Sequence, residues 1–168
     1  MKNLKIIAYT LLLLIVSMSP QFAIAKPELE ISTLRWIDLI PFSERNQNNS
    51  AFVKDHSSDV PAQQSQLYTV REELNGQKVK IAGFVIPLEG GSDLVTDFLL
   101  VPYFGACIHV PPPPPNQIIR VSFEEGVALT EIWDVVYVVG ILKTESTDSD
   151  LAHTAYVIDG IKMEDYEK

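Results

Sequence analysis

The sequence predicts a mainly β fold, a small five-stranded OB-like curled barrel with one or two short N-terminal helices. Five short apolar stretches between residues 78 and 161 carry alternating or β-branched residues and are separated by turn-forming residues. Gly83 and Gly140 lie inside two of these stretches and indicate bends that let a small sheet curl on itself. A split sandwich is the alternative arrangement of the same strands.

The order of the strands follows from alternation and from turn signals. The first strand, Lys78 to Leu88, alternates lysine with valine and isoleucine, and Pro87 places its end at an edge or a turn. A glycine-rich loop follows at residues 89–92. The other strands are predicted at Thr96–Val101, Gln117–Phe123, Val135–Leu142 and Ala155–Ile161.

Residues 1–25 have the pattern of a secretory signal peptide. Two lysines precede an apolar run from Ile6 to Val16, and Ala23-Ile24-Ala25 is a small-X-small cleavage site. We therefore expect export to a bacterial periplasm, with a mature chain that begins at Lys26. The run is too short to predict a spanning helix, which needs about 20 apolar residues, so we do not expect an integral membrane protein after cleavage. An uncleaved anchor is the alternative.

After the signal, the chain divides into an N-terminal arm with a polar linker, residues 26–66, and the barrel domain, residues 67–168. Residues 42–66 are polar and lack periodicity, which predicts a partly mobile surface linker.

Two short helices are expected around that linker. Trp36 and its neighbours are too apolar for a solvated tail, so a helix from Leu34 to Leu39 is predicted to pack on the barrel. Acidic and apolar residues at helical spacing predict another from Leu67 to Leu74, which Asn75-Gly76 would end.

The charge balance excludes some partners. The chain has 13 Lys and Arg against 22 Asp and Glu, and loss of the two signal lysines leaves 11 against 22, a formal charge of −11. Such a chain repels phosphate backbones and anionic head groups, so neither nucleic acid nor a membrane surface is an expected partner. The charge suits a cationic partner such as a metal ion, but ordinary acidic solubility is the simpler explanation.

The most unusual stretch is Phe98 to Gln117, FLLVPYFGACIHVPPPPPNQ. If its centre is extended, Cys107 and His109 point to one face with Cα atoms about 6.6 Å apart, a span that one metal ion can bridge. The run Pro111–Pro115 lacks N–H groups and has fixed φ angles, so it is predicted to form a stiff polyproline II rod beside that pair.

Cys107 is the only cysteine, so it cannot form a disulfide within the chain. In an oxidising periplasm it is expected to be buried, metal-bound, paired with another molecule or catalytic. His153, with Asp148 and Asp150 nearby, is the candidate third ligand to zinc or copper, and a surface histidine in a polar turn is the alternative.

The same stretch also offers a docking surface. Polyproline segments lose little conformational entropy on binding and are common recognition elements. The residues expected to contact a partner are Tyr103, Phe104, Pro111, Pro112, Pro113, Pro114, Pro115, Asn116 and Gln117.

The motif FLLVPYFGACIHVPPPPPNQ closely resembles the signature of a family of exported bacterial proteins catalogued as a domain of unknown function. The similarity extends to Trp36–Pro41, Leu74–Gly76, Val79–Phe84 and Val138–Gly140. Members are often encoded beside an export-type ABC transporter and a histidine-rich periplasmic protein linked to zinc. The resemblance therefore implies a setting of metal handling or transport, and it assigns no residue a role.

Three classes of function remain open. The first is a periplasmic accessory protein of metal handling or of the associated transporter, which binds zinc or copper through Cys107 and His109. The second is a non-catalytic interaction module that docks through the proline segment while Cys107 is buried. The third is a thiol enzyme with His109 as base. It is disfavoured because side chains two apart on a strand run parallel and no third orienting group is identifiable.

Overall fold

The computed structural model describes residues 30–45, 64–66, 68–90, 94–106, 112–128 and 135–166. The strands are β1 Ser32–Leu34, β2 Lys78–Gly90, β3 Val95–Val101, β4 Ile119–Val127, β5 Val135–Lys143, β6 Thr147–Asp148, β7 His153–Thr154 and β8 Tyr156–Asp165. Short 3-10 turns span Trp36–Leu39, Glu72–Leu74 and Pro115–Gln117. The predicted signal peptide and most of the predicted linker lie outside the described residues.

Five of the strands close into a barrel. Their order is β2-β3-β4-β8-β5, and β5 pairs back onto β2. β4 and β8 are parallel, whereas the other neighbours within the barrel are antiparallel. This arrangement confirms the predicted mainly β, OB-like barrel. The predicted strands lie within two residues of the observed bounds at most of their ends.

The long strand β2 belongs to two sides of the barrel. Its first half, Lys78–Phe84, pairs with β5, and its second half, Phe84–Gly90, pairs with β3. At Gly83 a Cβ atom would lie 2.7 Å from Leu100 Cγ and 3.0 Å from Trp36 Cζ2. Only glycine leaves room for the arm to pack here, and Trp36 Nε1 donates to the Ala82 carbonyl at 2.7 Å.

The barrel interior is filled by the inward-pointing residues of every barrel strand. Its largest fully buried side chain is Tyr156, at the start of β8. The Tyr156 hydroxyl donates to the Leu39 carbonyl at 2.9 Å and accepts from the Arg71 N–H at 2.7 Å. Burial raises the pKa of Tyr156, so the phenol stays neutral and joins the arm and the 68–74 segment to the barrel end.

Both predicted helices are shorter than expected. Leu34 belongs to β1, which pairs with β2 in parallel, and only Trp36–Leu39 forms a 3-10 turn. In the second region, from residue 68 onward, only Glu72–Leu74 is helical. The backbone there bonds to distant groups instead, because the Thr69 carbonyl accepts from Asn116 Nδ2 at 2.9 Å and the Arg71 N–H is taken by Tyr156. Tertiary contacts thus override the local helical pattern.

Within the described residues, no helix is long and apolar enough to cross a membrane.

Candidate functional site

A second apolar cluster lies outside the barrel, on the outer surface of β2, β3 and the start of β4. Ile86, Leu99 and Val101 point away from the barrel interior and are nevertheless fully buried. Tyr103 and Ala106, from the segment that follows β3, pack against them. We call this surface the covered face. The first part of the unusual sequence stretch, up to Ala106, therefore packs on the outer wall of the barrel.

Phe104 lies at the surface of this segment. Its side chain is 59% exposed, while Tyr103 on one side is half-buried and Ala106 on the other is buried. The Phe104 ring meets the Phe84 ring edge to face, with centroids 6.1 Å apart. The segment therefore presents one large aromatic side chain to solvent from a base that is packed on the barrel.

The described prolines are anchored rather than free. Pro113 and Pro115 are buried, and Pro112 and Pro114 are half-buried. The Pro113 carbonyl accepts from Gln64 Nε2 at 2.8 Å, and the Pro115 carbonyl accepts from the Ala155 N–H at 2.9 Å.

The predicted polyproline II rod ends before Pro115, one residue earlier than expected. Pro114 has the extended angles φ −53° and ψ 150°, but Pro115 begins a 3-10 turn. That turn also explains why the third barrel strand begins at Ile119 and not at the predicted Gln117. The fixed φ of proline suits the first position of a helical turn.

Asn116 and Gln117 are buried in this turn. Asn116 is 2% exposed and donates to the Thr69 carbonyl, and Gln117 Nε2 donates to the Trp36 carbonyl at 3.0 Å. Asn116 Oδ1 has no protein partner among the described residues. These amides hold the segment to the arm and to residues 68–71, which gives them a positioning role in the structure.

His153 is the sequence-predicted ligand that the structure describes. Its Nδ1 lies 2.7 Å from Asp148 Oδ1, directly opposite on the β6–β7 hairpin, and its Nε2 lies 2.9 Å from the Tyr68 hydroxyl. Gln64 bonds both its N–H and its carbonyl, at 2.9 and 2.8 Å. Both ring nitrogens therefore have partners, and a metal at Nε2 would displace the Tyr68 hydroxyl.

Cys107, His109 and Pro111 lie outside the described residues. The assembly of Cys107 and His109 with His153 therefore stays a prediction. In the part of the chain that the structure describes, no three His, Cys, Asp or Glu side chains come together to hold a metal ion.

Gln64 and Tyr68 join the site although nothing in their local sequence marks them. Gln64 Nε2 bridges the carbonyls of Pro113 and His153, which are 49 and 89 residues away. Gln64 belongs to the stretch predicted as a mobile linker. The sequence does not single it out, because polar composition does not show which amide will bond to a distant carbonyl. The proline segment and the β6–β7 hairpin are thereby tied together.

An ion pair borders the covered face. Arg120 on β4 binds the Asp97 carboxylate with Nε at 3.0 and 3.1 Å and also with Nη2. The hydrogen bond to Asp97 raises the pKa of Arg120. Because the carboxylate is buried and satisfied by the guanidinium, this pair fixes β3 against β4.

Comparisons with known proteins complete the description of the site. Residues 36–165 match a family model described as protein of unknown function (DUF3299). The crystal structure of a DUF3299 family protein from Pseudomonas aeruginosa PAO1 is similar, with a TM-score of 0.66 and 35% sequence identity, over 83% of this chain and 98% of that chain. The comparison with curated proteins found no match. The findings agree with the family resemblance expected from the sequence.

Proposed function

This chain belongs to the DUF3299 family, and we propose that it is an exported, non-catalytic interaction module that docks on a protein partner through Phe104. The observation that carries the proposal is the exposure of Phe104 on a segment whose flanking residues are packed into the covered face.

The anchoring of the segment makes Phe104 suitable for docking. Tyr103 and Ala106 pack on the covered face and restrain the residues around Phe104 before binding, so little conformational entropy is left there to lose. A phenylalanine that enters a partner's pocket buries about 150–250 Å² and is the kind of anchor that dominates interfaces. Among the described prolines of the run, docking would be limited to the sides of Pro112 and Pro114 that remain accessible.

The partner that we propose is the extracytoplasmic part of a transporter in the same periplasm. Export rests on the predicted signal peptide, and the transporter rests on the setting that the family resemblance implies. The formal charge of −11 expected after signal cleavage favours a partner whose rim around the pocket is basic.

The test places a photo-crosslinking phenylalanine at position 104 in cells of the native host, with the same residue at position 42 as control. Phe42 is 84% exposed and lies on the arm, so it matches in chemistry and accessibility. We expect a cross-link from position 104 to an identified transporter subunit, and a Phe104→Ala protein that captures less of that subunit. A folded Phe104→Ala variant with undiminished capture, or equal cross-linking from both positions, would contradict the proposal.

A second candidate is transient binding of zinc or copper by Cys107, His109 and His153. The orientation of His153 supports it, because metal-binding histidines commonly donate the second ring N–H to a carboxylate, as Asp148 is placed to accept here. Native mass spectrometry of the protein titrated with zinc and copper(I) tests it. We expect one ion that is lost in Cys107→Ser and weakened in His153→Ala. An unchanged stoichiometry in folded Cys107→Ser protein would rule it out.

A further inference from the structure

The first half of β2 exposes a second surface. Val79 and Ile81 point into the barrel, so Lys78, Lys80 and Ala82 point outward. Opposite them on β5 lie Ile141, Val139 and Tyr137, and on β8 Asp159, Lys162 and Glu164 lie opposite those three. We call this outer surface of β2, β5 and β8 the lysine face.

Every lysine among the described residues lies on this face: Lys78, Lys80, Lys143 and Lys162. The chain as a whole is strongly acidic, with a formal charge of −9. Three carboxylates oppose the four lysines: Asp159 and Glu164 on the face, and Glu145, whose charge acts on Lys143, which leaves an excess of one positive charge. The lysines are thus gathered on one side of the barrel.

The ion pairs of the lysine face do not neutralise all of its lysines. Lys143 pairs with Asp159 at 2.8 Å, whereas Lys80 and Lys162 share the single carboxylate of Glu164, at 2.5 and 2.9 Å. This double pairing lowers the pKa of Glu164 to about 2, with Lys162 the larger cause. Lys78 has no ion-pair partner among the described residues.

Aromatic and apolar side chains lie among these charges. Lys80 Nζ lies 4.3 Å from the centroid of the Tyr137 ring. The centroids of the Tyr137 and Tyr166 rings are 5.1 Å apart. Ile141 is half-buried between Lys78 and Asp159. Tyrosine and apolar surface among the charges are typical of protein interfaces, which favours a polypeptide ligand.

The lysine face also continues the surface of Phe104. Phe84, which meets the Phe104 ring, follows Ala82 on the same side of β2, about 6.6 Å further along the strand. A partner segment seated on Phe104 can therefore extend along β2 onto Lys80 and Lys78.

We propose that the lysine face binds an acidic polypeptide segment of the docking partner. The inference rests on the proposed function for the partner's identity, but its charge recognition can be measured separately. The basic pocket rim expected from the overall charge then applies around Phe104, and acidic residues are expected where the partner crosses the lysines.

The test titrates the purified protein with poly-L-glutamate and follows backbone amide chemical shifts. We expect shifts on β2, β5 and β8 that shrink between about 20 and 200 mM salt, because exposed charges are screened over about 10 Å. A Lys78→Glu, Lys162→Glu double variant is expected to bind at least about tenfold more weakly. The Lys78→Arg, Lys162→Arg variant keeps the charges and should bind within about twofold of the original.

Several outcomes would overturn the proposal that the lysine face binds an acidic segment. Unweakened binding by the glutamate variant, or shifts confined to other strands, overturns the proposal. Tighter binding of phosphatidylglycerol vesicles or inorganic polyphosphate than of poly-L-glutamate also overturns it, since the ligand would then be a phosphate. Phe104→Ala should leave poly-L-glutamate binding intact. If the original protein binds poly-L-glutamate but captures no transporter subunit, only the proposed partner is wrong. If it captures the subunit but does not bind poly-L-glutamate, only the acidic segment is wrong.

Discussion

The covered face and the lysine face are two parts of one barrel wall, and both include β2. On the covered face Ile86, Leu99 and Val101 are covered by Tyr103, Ala106, Ile118 and Ala152 of the same chain. On the lysine face Lys78 and Lys80 remain at the surface. The difference shows that the outside of a small barrel can serve as a second core where another segment packs on it, and as a charged surface where no described segment does.

The largest expected effect is a loss of stability caused by a substitution in the covered face. Leu99→Ala removes a fully buried side chain from a cluster outside the barrel, and we expect a loss of about 3 kcal/mol in the free energy of unfolding. Urea denaturation measures it. The control is Ile141→Ala on the lysine face, where half-burial predicts a loss of roughly 1 kcal/mol. Equal losses at the two positions would mean that the covered face is not a second core.

A smaller loss of stability is expected when a fully buried hydroxyl is removed, compared with a hydroxyl on a half-buried side chain. Tyr156→Phe leaves the Leu39 carbonyl and the Arg71 N–H without their partner, and we expect a loss of about 1–2 kcal/mol. Tyr137→Phe on the lysine face should change stability by less than about 0.5 kcal/mol. Thermal unfolding of the two variants side by side would show whether the barrel end depends on the Tyr156 hydroxyl.

The smallest effect is the pH dependence of the lysine face. Glu164 has its pKa lowered from 4.5 to about 2, so its pairing with Lys162 and Lys80 stabilises the fold above pH 4.5. That contribution is lost as the pH falls from about 4.5 toward 2, because the unfolded carboxyl takes up its proton first. We expect the melting temperature of the original protein to fall more steeply over this range than that of Glu164→Gln. The exposed Glu125→Gln serves as control, and parallel curves for all three proteins would refute the pairing.

Much of the barrel could be predicted from local pattern. Alternation of Lys78 and Lys80 with Val79 and Ile81 predicts a strand with one side toward solvent and one side buried. The structure has this arrangement. The helices could not be bounded in the same way, because Thr69 and Arg71 give their backbone groups to Asn116 and Tyr156. Propensity cannot anticipate a partner that lies 47 or 85 residues away.

The candidate site divides similarly. The sequence by itself determined the strands, the family resemblance and the stretch in which Tyr103 and Phe104 lie, since these depend on order along the chain. Only the tertiary structure decided that Phe104 is exposed, that Asn116 is buried, and that Gln64 ties the proline segment to His153. Burial and long-range hydrogen bonds depend on which segments meet in space, and only the folded chain brings those segments together.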